Sequence, residues 1–120
     1  MKRALVIVDH GSRLPEAHAH LEAIVSQVQG RAPDWRVYAA HLELASPSLE
    51  QALDACVRDG VSEVTVHPLF VLPGRHLSSD LPSRVRRAAE KNPALTIRVS
   101  SALGTDPRIA EWILRVCGIE

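Results

Sequence analysis

The sequence predicts an α/β fold, a four-stranded parallel sheet with helices on both faces, built as one domain over residues 1–120. Three observations carry this reading. Short apolar runs alternate with longer stretches of helical periodicity. The apolar runs are continuous, as in strands buried on both faces. A chain of 120 residues has room for one core and not for two.

Each element follows in order. Ala4-Leu5-Val6-Ile7-Val8 is an unbroken apolar run and forms the first strand. From Pro15 to Gln29 the apolar residues Ala17, Leu21, Ile24, Val25 and Val28 recur at spacings of three and four, an amphipathic helix that Gly30 ends. Trp35 to Leu42 reads as a second strand. Ser46 is placed to cap a second helix, with Pro47 at its first position, running through Leu53, Ala55 and Val57 to Gly60. Glu63 to Leu72 is a third strand, and Pro68 within it suits a chain leaving the sheet. Pro73 to His76 form a loop, and a helix follows to about Lys91. Leu95 to Val99 is the fourth strand, and Asp106-Pro107 opens a last helix through Trp112 and Val116.

Composition removes several function classes. About 46% of the chain is apolar and 23% charged, the balance of an ordinary globular protein. Fourteen basic and fourteen acidic residues cancel, so no basic field exists to hold a nucleic-acid backbone or an anionic membrane. Ala4–Val8 is too short for a signal segment or a membrane span. Cys56 and Cys117 are far apart and form no CxxC pair, which argues against a zinc knuckle or a disulfide scaffold and for a cytoplasmic protein with free thiols. Neither GxGxxG nor a Walker loop occurs, so no organic cofactor is implied.

Topology says where the chemistry lies. Ligands of open parallel sheets bind beyond the carboxyl ends of the strands. Asp9-His10-Gly11-Ser12-Arg13 follows the first strand, His41-Leu42-Glu43 the second, and His67 with Gly74-Arg75-His76 and Asp80 the third. Four of the six histidines fall in these segments. A single strand-end histidine is most often an ordinary polar terminus. His10 and His76 on neighbouring loops weigh more than either alone. Imidazole is a common ligand for Fe, Co, Ni and Zn, and two imidazoles plus a carboxylate with open positions would hold a metal that must later be released. Glu43 is preferred to His41 because a carboxylate can act as ligand or base. His18 and His20 read as solvated on the first helix, His67 as buried and hydrogen-bonded, Arg86, Arg87 and Lys91 as a solvated face, and Cys56 as core.

His10-Gly11-Ser12-Arg13, Pro47-Ser48-Leu49, Pro68-Leu69-Phe70-Val71, Gly74-Arg75-His76 and Asp80-Leu81-Pro82 together resemble the class II chelatases. The likeness is to the small, single-domain sirohydrochlorin cobaltochelatases of the CbiX kind, related to the SirB ferrochelatases. It runs from the first strand to the last helix. The resemblance implies insertion of Co²⁺, or Fe²⁺, into sirohydrochlorin, with His10 and His76 as metal-binding residues and Glu43 as the acidic strand-end residue. It also implies a homodimer, since longer relatives hold two such halves in one chain. Two departures stand out: Asp9, where a small residue is frequent, and Asp106, where the family often has a histidine.

The tetrapyrrole this implies needs an apolar wall, which Leu69, Phe70, Val71, Leu72 and Pro73 would supply. Its peripheral carboxylates need donors, which Ser12, Arg13, Arg75, Ser78 and Ser79 would supply. Two rivals remain. A histidine phosphatase is disfavoured because Asp9 stands where an arginine would precede the nucleophile. A metal or tetrapyrrole carrier without turnover would use the same ligands as the enzyme.

Overall fold

Strand β1 (Arg3–Asp9) runs through the middle of a four-stranded parallel sheet, where an unbroken apolar run has to lie. The molecule is described by a computed structural model covering residues 2–71 and 74–120, with backbone alone at 75–79. After β1 come α1 (Pro15–Arg31), β2 (Trp35–His41), α2 (Leu49–Arg58), β3 (Glu63–Pro68), α3 (Arg75–Lys91), β4 (Thr96–Val99), a 3-10 turn (Leu103–Thr105) and α4 (Ile109–Val116). The strands are ordered β2-β1-β3-β4 and pair in parallel.

This order fixes the layers. The chain steps from β1 to β2 in one direction, then from β2 past β1 to β3 and β4 in the other. Right-handed crossovers therefore put α1 on one face and α2 with α3 on the opposite face. Ala4, Val6 and Val8 are fully buried in the core that Leu49, Leu53, Cys56, Leu81 and Val85 complete from α2 and α3. Ile7, of opposite parity, is also buried, on the side that α1 covers with Leu21. Complete burial of Leu49 and of Leu53 is worth about 1.5–3 kcal/mol each. The edge of β2 is closed by a side chain. Gln29 donates from Nε2 to the Trp35 carbonyl at 2.7 Å and accepts from the Val37 N–H at 3.0 Å, much as a neighbouring strand would.

Several boundaries differ from the sequence reading. The second helix starts at Leu49, not at Pro47: the Pro47 carbonyl accepts from the His41 N–H at 2.8 Å and is thereby held to the end of β2. Ser48 is the cap. Its Oγ accepts from the Gln51 N–H at 3.1 Å, and Gln51 Oε1 accepts from the Ser48 N–H at 2.8 Å, a reciprocal capping box. Helix α1 passes Gly30 to end at Arg31, just before Pro33. Strand β3 stops at Pro68, whose ring has no N–H for the ladder, and β2 stops at His41, which leaves Glu43 in a loop. Arg75 and His76 lie in the first turn of α3, not in a loop. Cys56 is buried, and Arg86, Arg87 and Lys91 are exposed, as read.

Helix α4 stands apart. None of its residues is buried, and its chief contacts are with the 3-10 turn. The radius of gyration, 14.8 Å, exceeds the ~13.6 Å of a compact chain of this length.

Candidate functional site

The three segments singled out in the sequence arise on three consecutive strands. His10 follows β1 directly, Glu43 lies two residues beyond β2, and α3 with His76 in its first turn follows β3. The central strand thus brings His10 between the other two. The ladder continues past the strand ends: Leu42 N–H donates to the Asp9 carbonyl at 3.0 Å, Glu43 N–H to the His10 carbonyl at 3.1 Å, and Leu69 N–H to the Val8 carbonyl at 2.8 Å. Gly11 tightens the first junction. Its φ is +99°, and a Cβ there would stand 1.7 Å from the Glu43 carbonyl oxygen.

The His10 side chain is exposed, with its ring 4.2 Å from that of Phe70 and tilted by 43°. Phe70 is buried two residues past β3 and is itself pinned. Gly104 N–H donates to the Phe70 carbonyl at 3.2 Å, and a Cβ on Gly104 would meet the Val71 carbonyl oxygen at 1.3 Å. Phe70 also lines an apolar cleft of about 360 Å³, shared with Pro68, Leu81, Pro82, Val99 and Ala102. Of the expected apolar wall, Phe70 is buried, Leu69 half-buried and Val71 65% exposed, while Leu72 and Pro73 lie outside the described residues.

Other expected site residues fall as follows. The side chains of Arg75, His76, Ser78 and Ser79 lie outside the described residues. Ser12 does not cap α1. Its Oγ accepts from the Leu14 N–H at 3.0 Å, because Pro15 opens the helix and fixes Leu14 as the extended cap residue; the hydroxyl hydrogen remains to donate. Arg13 is exposed. Asp106 is committed to the start of the last helical segment: Arg108 holds it through side chain and backbone, at 2.7–2.9 Å, and keeps its carboxyl down at about 2. Among the described residues no group of three or more His, Cys, Asp and Glu is placed to hold a metal ion.

Three features were missed by sequence reasoning. His41 Nδ1–H donates to Asp9 Oδ1 at 2.6 Å, with the imidazole buried, so the unusual Asp9 has a partner directly across the parallel ladder. His18 is not solvated. It is half-buried, its Nε2 touches the Ser12 carbonyl, and its ring lies 5.0 Å from that of His41. Arg84 forks onto Glu50, at 2.8 and 2.6 Å, and donates to the Leu42 carbonyl at 2.9 Å. That fork raises the guanidinium's affinity for its proton and lowers that of the Glu50 carboxylate. Only the Asp80–Arg84 spacing of four hinted at an ion pair there, and those groups are 3.9 Å apart. His67 is half-buried and donates from Nδ1 to Ser100 Oγ at 2.7 Å, as read, and burial pushes its basicity down.

The CbiX family pattern matches residues 4–117, nearly the whole chain. The protein belongs to the CbiX family. A sirohydrochlorin ferrochelatase of Arabidopsis thaliana chloroplasts is 38% identical over 100 residues, which are 83% of this chain and 44% of that one. A sirohydrochlorin cobaltochelatase of Methanopyrus kandleri is 28% identical and covers 92% of each chain. The crystal structure of the sirohydrochlorin chelatase SirB of Bacillus subtilis subspecies spizizenii, in complex with cobalt, superposes with a TM-score of 0.88 at 28% identity over 98% of this chain and 50% of that one. This CbiX-family chain thus spans less than half the length of the first relatives it matches. The four-stranded parallel α/β architecture expected from the sequence is that of these chelatases. No helix among the described residues is long and apolar enough to cross a membrane.

Proposed function

We propose that this protein inserts a divalent metal ion into sirohydrochlorin, with cobalt as the metal and cobalamin synthesis as the purpose. The carrying observation is that the family match spans residues 4–117 while Glu43, His10 and the start of α3 converge from three consecutive strand ends. In this reading His10 and His76 present the ion to one face of the macrocycle, as neutral imidazoles that bind borderline metals. The two pyrrole N–H protons leave as the ion enters, and Glu43 takes them up and passes them to water. Ser12, Arg13, Arg75 and Ser78 donate to the peripheral carboxylates, and the Phe70 segment offers the apolar wall. Iron insertion for siroheme is the second reading, favoured by the Arabidopsis relative, which is named a ferrochelatase. The test is an absorbance time course of sirohydrochlorin with excess Co²⁺ or Fe²⁺ and catalytic protein. Many turnovers with Co²⁺ are expected. Spectral change limited to one equivalent of protein would mean a carrier instead.

The same reading takes residues 1–120 as one cytoplasmic domain that works as a homodimer. Support comes from α4 and the residues after it, where Trp112 (42%), Ile113, Leu114, Val116 (88%) and Ile119 expose apolar side chains with little of their own chain against them. A second copy would cover them. The wild type is expected to sediment as a dimer, and the Trp112→Glu, Val116→Glu double variant as a monomer. A wild type that stays monomeric at tens of micromolar would remove the homodimer.

A further inference from the structure

The turn that carries Glu43 is held in a conformation it would not adopt unaided. Leu44, the next residue, has φ of +68°, the left-handed region that L-residues with a Cβ avoid. Its side chain is 53% exposed, so burial of Leu44 does not compensate. Two contacts brace the turn. On one side Gly11 abuts the Glu43 carbonyl. On the other, Arg84 Nη1 donates to the Leu42 carbonyl at 2.9 Å, while its Nε and Nη2 lie 2.8 and 2.6 Å from the two Glu50 oxygens. The Arg84 side chain is only 14% exposed. Glu50 on α2 fixes the guanidinium plane, and the plane fixes the third donor on the carbonyl. A lysine, with its donors on one nitrogen, cannot span both acceptors in this geometry.

We propose that Arg84 is a positioning residue for Glu43: anchored on Glu50, it clamps the Leu42 carbonyl and so holds the Glu43–Leu44 turn against α3. The proposal rests on the role given to Glu43 above. Because α3 also carries His76 in its first turn, the clamp references the helix and the Glu43 turn to each other. With its donors taken up by Glu50 and the Leu42 carbonyl, Arg84 acts on the reaction through Glu43 and not on the ion or the macrocycle.

The test is a double-mutant cycle in the sirohydrochlorin assay, with Arg84→Met, Glu43→Gln and both together, each followed by thermal unfolding. Arg84→Met is expected to lower kcat roughly 10- to 100-fold with KM for the tetrapyrrole within about twofold. In the Glu43→Gln background the same substitution is expected to cost nothing further. Arg84→Lys should recover only a small part of kcat. Unchanged kcat in Arg84→Met, or an equal loss in both backgrounds, would overturn the clamp. If Arg84→Met does not fold, Glu50→Gln, which keeps the shape and removes the anchoring charge, is expected to show the same non-additivity. A Glu43→Gln variant with wild-type kcat would overturn the role of Glu43 and the clamp together. A wild type inactive with both metals would instead overturn the chelatase reading on which both depend.

Discussion

Replacing His10 with alanine is expected to lower metal insertion on the order of 100-fold while leaving the protein folded. The two effects separate because of where the ring sits. His10 is exposed, follows the last residue of β1, and among the described residues has one ring neighbour, Phe70 at 4.2 Å. Losing that contact costs about 1 kcal/mol. The backbone of residue 10 stays held, since its carbonyl accepts from the Glu43 N–H at 3.1 Å whatever the side chain. Steady-state rates at several Co²⁺ concentrations, with a melting curve for each variant, check this. If His10 is a ligand, excess metal should restore part of the rate. If it instead accepts a pyrrole proton, added metal should restore none. Full activity of His10→Ala at limiting metal would move the metal site elsewhere.

The sheet was legible because burial on both faces leaves a mark in the sequence. Ala4–Val8 reads as a central strand since Val6 and Val8 fill one core while Ile7 is buried on the other face. Given the order of strands and helices, the rim carrying His10 and Glu43 follows from topology alone. What was not legible depends on contacts between distant segments. The partner of Asp9 is His41, 32 positions away, and emerges only from the parallel register. Arg84 finds Glu50 34 positions away, and its one local mark, Asp80 four residues before it, points to a different partner. Even the helix start shows two local rules in competition. Ser46-Pro47 and Ser48-x-x-Gln51 are both sound openings, and the second prevails because the Pro47 carbonyl is bonded to the His41 N–H. The exposed face of α4 is visible in neither periodicity nor composition, since an amphipathic pattern is the same whether its apolar side meets its own chain or another.

Gly11→Ala is expected to combine a large loss of activity with a loss of stability of about 2–3 kcal/mol, from backbone strain and one weakened hydrogen bond. Two separate obstacles meet there. The φ of +99° disfavours any Cβ, and the added atom would lie 1.7 Å from the Glu43 carbonyl oxygen, a backbone atom that no rotamer change can move. The junction can open only by separating the His10 segment from the Glu43 turn, and the Glu43 N–H bond to the His10 carbonyl is what would break. Gly60 supplies the control. Its φ is +79°, but a Cβ there meets nothing nearer than the flexible Lys2 Nζ at 3.7 Å. Gly60→Ala should therefore lose roughly 1–2 kcal/mol from strain alone and keep its kcat. Both variants are compared by thermal unfolding and by insertion rate at a temperature where each is fully folded. If Gly11→Ala, once folded, turns over as fast as Gly60→Ala, the distance between His10 and Glu43 does not limit the reaction, and the convergence of the first two strand ends carries no catalytic meaning.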